Sequence, residues 1–443
     1  MNVSTQIPNR AGSRPRLLSI NSYHYHRGGA DKVYFQHAEL MAQQGWENAF
    51  FSMHHPRNLP SEWSSYFVDE IEFGHAYPLA QKVSKAIKVV YSFEAQRKLR
   101  SLLAAWHPDV AHLHNIYHHL SPSILPVLRK AGVPAVMTAH DLKIACPNNK
   151  MYNETGVCER CKGGQYAQLL AHRCIKDSLA ASTVVALEAV VHRLLGSYGD
   201  NLERIIVPSR FFLEKFVEWG WPAERFAHIP NWIDTDAIQT DDRAGDYFLY
   251  LGRLAPEKGI ETLMRACVLA GVKLAVAGDG PLMQGLQSML RDGVGNVRLL
   301  GHCEGDQLAK LVRGARAVVV PSQWYENAPL SVLESFAAGK PVIGSRIGGI
   351  PELIEEGRTG WLVEPGDVDA LVSMLLMVNA LPDASVRVMG RAARARVERD
   401  FHRRGYLAAM MALYDAIGVR GMSAGSSSCE ASGFPDLGRV QPQ

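Results

Sequence analysis

Short β-branched apolar runs alternate with amphipathic stretches along almost the whole chain. In the first half, "RLLSI" (16–20) leads through a loop to "ADKVYFQHAELMAQQ" (30–44), and then to "ENAFFSM" (47–53). "DVAHLH", "SPSILPVLRKA" and "PAVMTAH" repeat the step, and "RIIVPS" followed by "RFFLEKFVEWG" repeats it again. The second half reads the same way: "YFLYLG", "IETLMRACVLAG", "KLAVAG", "PLMQGLQSMLRD", "VRLLG", "GDQLAKLVRGA", "AVVVPS", "PLSVLESFAAG" and "PVIGS". The short runs are continuously apolar, as strands covered on both faces must be. Alternation of such strands with helices predicts an α/β fold of stacked βαβ units on parallel sheets.

A chain of 443 residues exceeds one ordinary core, so two domains are expected. The polar, Asp-rich stretch "WPAERFAHIPNWIDTDAIQTDDRAGDYF" (221–248) marks the join. We place the first domain at 1–225, the second at 226–405 and a helix crossing back to the first domain at 406–418. The remainder, 419–443, is rich in Ser and Gly and is expected to be disordered. Two such domains face each other across a cleft lined by strand C-termini, where ligands bind in parallel sheets.

Composition adds limits. Apolar residues make up 47% and charged residues 21%, a globular balance. Lys plus Arg number 47 against 44 Asp plus Glu, so nothing in the overall charge calls for nucleic acid. One segment departs from that evenness: Lys82, Lys85, Lys88, Arg97, Lys98 and Arg100 lie between Tyr77 and Trp106 with Glu94 as the sole acid. It reads as a solvated helix face or as a patch resting on an anionic membrane. The N-terminus has no apolar signal region, and no run reaches the about 18 apolar residues of a membrane span. "SLAASTVVALEAVVHRLL" (178–195) comes nearest and reads as a buried helix. The expectation is a cytoplasmic protein, peripheral at most to the inner face of the plasma membrane.

Candidate chemistry sits at the strand ends. In "LYLGRLAPEKG", Arg253 follows a strand and Lys258 precedes a helix, an arrangement suited to a phosphate or diphosphate. In "SQWYENAPLSVLESFAAG", Glu326 falls in a loop after "VVVPS", and Pro329 and Gly339 bracket a helix that contains Glu334. The two acids are too differently placed for an acid/base couple. Each suits hydrogen bonds to a different part of one long hydroxyl-rich ligand. Gly28 and Gly29 allow close backbone approach after the first strand. They do not form G-x-G-x-x-G, which disfavours a dinucleotide redox cofactor.

The glycine pair, "TAHD" (138–141), "VPSRF", "PNWID", "GRLAPEKG", "GDGP" and the E-x7-E spacing occur in one order over roughly residues 14–418. In this the chain resembles the retaining glycosyltransferases of family 4, which have the GT-B fold of two facing Rossmann-like domains. The resemblance implies transfer of a sugar from a nucleoside diphosphate sugar to a glycan or lipid-linked acceptor, as in bacterial cell-surface polysaccharide synthesis. It implies that Arg253 and Lys258 bind the donor diphosphate and that Glu334 binds the ribose. Glu326 would contact the donor sugar beside the backbone amides of Asn327 and Ala328. Val297 and Leu299 would flank the base, His140 would line the reacting centre, and Gly28 and Gly29 would close on the donor. No D-x-D metal motif is evident beside the donor site, so no cofactor is expected for catalysis. A GT-B epimerase or phosphorylase is the second enzyme class, but no pyridoxal-phosphate lysine can be placed. A catalytically silent interaction module fits poorly with an intact Arg253, Lys258 and E-x7-E.

One insertion stands apart. Cys146, Cys158, Cys161 and Cys174 fall within 146–174, directly after His140. A CxxC flanked by single cysteines suits a structural zinc site with four thiolate ligands, but the second CxxC of a strong zinc signal is absent. Unliganded thiols and a disulfide pair stay open beside zinc. The many first-domain histidines, His24, His26, His54, His55, His112, His114, His118 and His119, are expected in scattered hydrogen-bonding or acceptor-cleft roles.

Overall fold

The computed structural model describes residues 14–71, 78–241, 243–290 and 295–419. The first half contributes β1 (Arg16–Ile20), β2 (Glu47–Phe51), β3 (Val110–Leu113), β4 (Ala135–Thr138), β5 (Tyr152–Asn153), β6 (Gly156–Val157), β7 (Arg204–Val207) and β8 (Phe226–His228). The second contributes β9 (Phe248–Leu251), β10 (Leu274–Ala277), β11 (Val297–Gly301), β12 (Ala317–Val320), β13 (Val342–Ser345) and β14 (Gly360–Val363). Two six-stranded sheets result, in the orders β2-β1-β3-β4-β7-β8 and β11-β10-β9-β12-β13-β14, while β5 and β6 form a small hairpin in the cysteine insertion. All pairings within the two large sheets are parallel. This is the expected pair of Rossmann-like domains.

The physical cause is double-sided burial. Every residue of β3, β4, β10, β12 and β13 is buried, because helices cover both faces of each sheet. Fully burying one Leu, Ile or Val contributes about 1.5–3 kcal/mol, so such runs leave no freedom to expose either face. The helix Arg403–Ala416 returns to the first sheet: Tyr406, Met410, Leu413 and Tyr414 share a core cluster with Leu17, Leu40, Met41 and Trp46.

Two expectations need adjustment, and a third falls on residues that are not described. Strand β8 belongs to the first sheet, so that sheet continues three residues past the boundary placed after residue 225. The apolar segment 178–195 forms the helix Leu179–Leu194 but is not buried throughout. It shows Leu179, Leu187, Val190 and Leu194 at 52, 52, 38 and 80% exposure. Its apolar residues exceed what one buried face needs, and the neighbouring helix Leu79–Val90 leaves that outer stripe uncovered. The expected disordered tail lies, from residue 420 on, outside the described residues.

Candidate active site

Sheet order fixes where the crevices open. In the second sheet the chain runs outward one way from β9 through β10 to β11 and the other way from β12 to β14, so the crevice lies between the ends of β9 and β12. Arg253 follows β9 by two residues, and the loop carrying Glu326 follows β12. In the first sheet the reversal lies between β1 and β3, placing Gly28 and Gly29 after one strand and His114 after the other. Both crevices open at strand C-termini.

Arg253 is exposed, and its carbonyl accepts a hydrogen bond from the Tyr250 hydroxyl at 2.7 Å, which fixes the turn. Pro256–Lys258 makes one 3-10 turn, and Gly259 then adopts a left-handed conformation (φ 68°). A Cβ at Gly259 would lie 1.9 Å from the Pro321 carbonyl oxygen, so only glycine lets this turn sit against the end of β12. That contact delivers Lys258 to Glu326: Nζ donates to Oε1 at 2.7 Å, and the Ser322 hydroxyl donates to the same oxygen at 2.6 Å. Burial alone would raise the Glu326 carboxyl, but Lys258 and the hydrogen bonds outweigh it and hold the group below its usual range. Glu326 is therefore an ionised, buried acceptor. Lys258 also lies over the Trp324 ring at 4.8 Å.

A second glycine pair shapes the Glu326 loop. The Gly349 amide donates to the Glu326 carbonyl at 2.8 Å, and a Cβ there would lie 1.9 Å from the Asn327 carbonyl oxygen. Gly348 is as tightly held: its φ is +61°, and a Cβ on it would meet the Glu326 backbone at 2.4–2.5 Å. "RIGGIPE" (346–352) thus supports the site through these two glycines.

Pro329 precedes the helix Leu330–Ala337, and Gly339 follows its end with φ 74°. Glu334 lies in its fifth position, where Lys32 of the first domain pairs with it. Gly29 packs on the same helix: a Cβ there would meet Leu330 at 3.6 Å. Two more contacts tie the halves together, and a third anchors the segment that joins them. Asn327 Nδ2 donates to the Ala139 carbonyl at 2.9 Å, Ser209 donates to Asn327 Oδ1 at 2.8 Å, and Asn231 donates to the Ala328 carbonyl at 3.0 Å. Gly29, Asn327, Ala328, Glu326 and Glu334 are thereby gathered at one seam, with Ala139 leading directly to His140.

His140 ends a buried chain of imidazoles and phenols. Its Nε2 lies 2.8 Å from His114 Nδ1, and His114 stacks on His112 at 4.6 Å between ring centres. His112 in turn contacts Thr138 at 2.7 Å and the Tyr414 hydroxyl at 3.1 Å, while His37 bridges Tyr414 and Tyr406 at 2.9 and 3.0 Å. The returning helix therefore braces the strand that carries His140. Burial pushes His140 down to about 4, as it does His24 and His118, and His37 to about 3. At neutral pH these rings are uncharged.

A pH dependence follows from their ordinary value of 6.5. Below it the unfolded chain takes up protons that the folded protein refuses until near pH 4. Stability from these rings is thus complete above about 6.5 and falls with acidification, by up to about 1.4 kcal/mol per pH unit per histidine. We expect Tm to drop steadily from pH 7 to pH 5. A Tm flat across that interval would contradict the buried neutral chain.

One expectation does not survive the geometry. Val297 opens β11, at the end away from the crevice, and is buried in the core with Leu274 and Val276. Leu299 packs against that same cluster, so Val297 offers nothing to a base and only the following turn reaches the crevice side. The four insertion cysteines are free thiols and form no disulfide. Cys161 feels the charges of Cys146, Cys174 and Cys158, and burial pushes it up to about 12 and Cys146 to about 11. Yet among the described residues no three His, Cys, Asp or Glu side chains are arranged to hold a metal ion. A structural zinc at these four thiols stays an expectation of the sequence. Apolar packing holds the insertion, with Leu169 against Val185 and Ala186 and with Met151 in the first-domain core, and polar contacts add to it: Lys150 pairs with Glu257 at 2.8 Å, and Glu159 accepts from Tyr325 and Lys215 at 2.8 Å each.

Sequence comparison matches residues 27–237 to the Glycosyltransferase Family 4 model and residues 245–379 to the model for glycosyl transferases group 1. Similar curated proteins include a sulfoquinovosyl transferase of Arabidopsis thaliana, 35% identical over 156 residues (34% of this chain, 30% of that one). An amylovoran biosynthesis glycosyltransferase of Erwinia amylovora is 29% identical over 216 residues (45% and 53%). The matched segments thus span about a third to a half of those relatives. Among solved structures, sucrose-phosphate synthase from Thermosynechococcus elongatus superposes with TM-score 0.66 at 21% identity (91% and 99% covered). Anabaena HepE in complex with UDP and glucose gives 0.63 at 18% (91% and 99%). Those likenesses establish the GT-B fold.

Proposed function

From a chain whose two halves are each homologous to GT-B glycosyltransferases, we propose a retaining transferase that moves a sugar from a nucleoside diphosphate sugar to a glycan or lipid-linked acceptor. One observation carries the reading: exposed Arg253 stands across the β9/β12 crevice from a buried carboxylate, Glu326, that is already ionised and oriented. A cation for the diphosphate and a carboxylate for sugar hydroxyls are thereby set at opposite sides of one crevice.

Charge dictates the division of labour. Cleaving the anomeric C–O bond leaves negative charge on the diphosphate and positive character on the sugar. Arg253 meets the diphosphate charge, with Lys258 beside it. Glu326 accepts sugar hydroxyls and stays fixed by Lys258 and Ser322, so it is a binding group and not a nucleophile. Glu334 takes the ribose hydroxyls once they displace Lys32. Neutral His140 faces the transferred sugar as a hydrogen-bonding partner, and the acceptor attacks from the face the donor leaves. Two protein cations assume the leaving-group role, so catalysis should proceed without a divalent metal.

The test is a panel of UDP-, GDP- and ADP-sugars, scored for nucleoside diphosphate release with a membrane extract as acceptor source, in EDTA. Turnover of one donor with α-to-α retention is expected. Release that needs added metal would overturn the metal-independent part, and turnover of none would overturn the whole.

The uncovered stripe on Leu179–Leu194 supports a position at a membrane. Val83 and Ile87 on the adjoining helix extend it, and that helix also carries the exposed cation Lys82. No single helix among the described residues is long and apolar enough to cross a membrane. Co-sedimentation with vesicles containing phosphatidylglycerol should exceed that with phosphatidylcholine alone. Leu194→Asp should weaken it about tenfold, the equivalent of one buried leucine. Equal binding to both vesicles would contradict the proposal.

A further inference from the structure

A second cavity lies behind the loop that follows His140, away from the Arg253 crevice. It encloses about 290 Å³, near the lower edge of the roughly 300–1,000 Å³ usual for small-molecule sites. Its walls come from the loop Lys143–Pro147, the cysteine insertion, the inner side of the helix Leu179–Leu194 and the turn after the helix Arg210–Glu218. Four aromatic residues line it: Tyr166, Tyr198, Trp219 and Trp221. So does one carboxylate, Glu188, which is 2% exposed.

Glu188 is half-satisfied. Its Oε2 accepts from Lys143 Nζ at 2.9 Å and lies 3.5 Å from His118, but its buried Oε1 has no hydrogen-bond partner. The indole Nε1 of Trp219, in the same wall, is likewise buried and unpartnered. A buried carboxylate oxygen and a buried N–H left bare are each costly. In the lining of one cavity they ask for a ligand atom that donates and one that accepts.

Charge narrows the ligand. Burial opposes ionisation of Glu188, but the Lys143 ammonium outweighs it and holds the carboxyl below its usual range, so the carboxylate stays charged. With Lys143 it forms a neutral pair; the other cation of the lining, Arg193, is exposed and donates to the Gly163 carbonyl at 3.3 Å. The neighbouring His118 and His192 are driven neutral by burial. An added cation would compete with Lys143, and an added anion would face Glu188. A neutral ligand whose hydroxyls both donate and accept suits the polar atoms, and its apolar C–H faces suit the four aromatic rings.

We propose that this cavity is a saccharide-binding pocket, in which a neutral sugar residue donates a hydroxyl to Glu188 Oε1 and accepts from Trp219 Nε1. Its use as a subsite for a remote residue of the acceptor glycan rests on the transferase reading; the binding itself does not. Lys143 links the two regions, since it pairs with Glu188 and stands three residues from His140.

The experiment is saturation-transfer NMR and calorimetry in the absence of any donor, with maltotriose, cellotriose, chitotriose and α-mannotriose as probes. At least one probe should bind the wild type. Trp221→Ala should weaken that probe at least tenfold, and Trp219→Phe, which removes only the N–H, should weaken it severalfold. Circular dichroism and Tm confirm that each variant is folded. Arg253→Ala should bind the probe as the wild type does, which separates this pocket from the donor crevice. No binding of any probe, binding indifferent to both tryptophan variants, or binding lost in Arg253→Ala would overturn the proposal. Failure of donor turnover with intact saccharide binding would instead count against the transferase reading alone.

Discussion

Arg253→Ala should lower kcat/KM by about 10²–10³-fold, the loss expected when one preorganised stabiliser of a developing charge is removed. The reason lies in the division of the two cations. Lys258 is already committed to Glu326 through a 2.7 Å ion pair, so much of its charge is answered before any donor arrives. Arg253 is exposed at the crevice and brings a forked donor suited to two phosphate oxygens at once. Arg253→Lys should recover only part of the loss, because a point charge cannot reproduce the bidentate geometry. The comparison is made under kcat/KM conditions with the active donor. Activity of Arg253→Ala within severalfold of wild type would remove Arg253 from the leaving-group role.

Lys258→Ala should harm both stability and activity, and a double variant separates the two. The Glu326 side chain is 8% exposed and that of Lys258 25%. Removing the ammonium strands a buried carboxylate on Ser322 alone, at a cost of about 3 kcal/mol, the low end of the range for broken buried pairs because Lys258 is partly solvated. Adding Glu326→Gln removes the stranded charge, so Lys258→Ala/Glu326→Gln should regain most of the lost Tm. It should not regain activity, since both the cation and the hydroxyl acceptor are gone. If Lys258→Ala matches the wild-type Tm, the pair is not a structural element of the resting site.

Much of the architecture was legible because burial on two faces leaves a plain mark. The continuous apolar runs of β9, β10, β12 and β13 could be nothing but interior strands. β8 and β14 were harder: each ends its sheet, and β8 has only three residues set in a polar segment. Pro329 and Gly339 bracketed their helix correctly because both act through local backbone sterics.

What the sequence hid is what depends on distant partners. Lys32 meets Glu334 across 302 positions, and nothing near either residue signals the other. The histidine chain from His140 to Tyr406 is likewise a product of the returning helix, so His114 looked like one of many histidines. Val297 misled because its motif "VRLLG" spans a whole strand, of which only the last residues approach the crevice. The cysteine spacing suggested a metal, and the fold sets the other three thiols within electrostatic reach of Cys161, a proximity that spacing alone does not show. In the helix Leu179–Leu194 the abundance of apolar residues suggested burial, whereas one face lines a cavity wall and another is bare.

The central claim is that Arg253, Lys258, Glu326 and Glu334 form one site for a nucleoside diphosphate. Calorimetric titration of UDP, GDP and ADP into the wild-type protein and into Arg253→Ala, in EDTA, tests it most directly. We predict one nucleotide bound at one site per chain, with affinity at least about tenfold weaker in the variant, as loss of a charge-assisted contact requires. Absence of binding for all three, or equal affinity in both proteins, would contradict it.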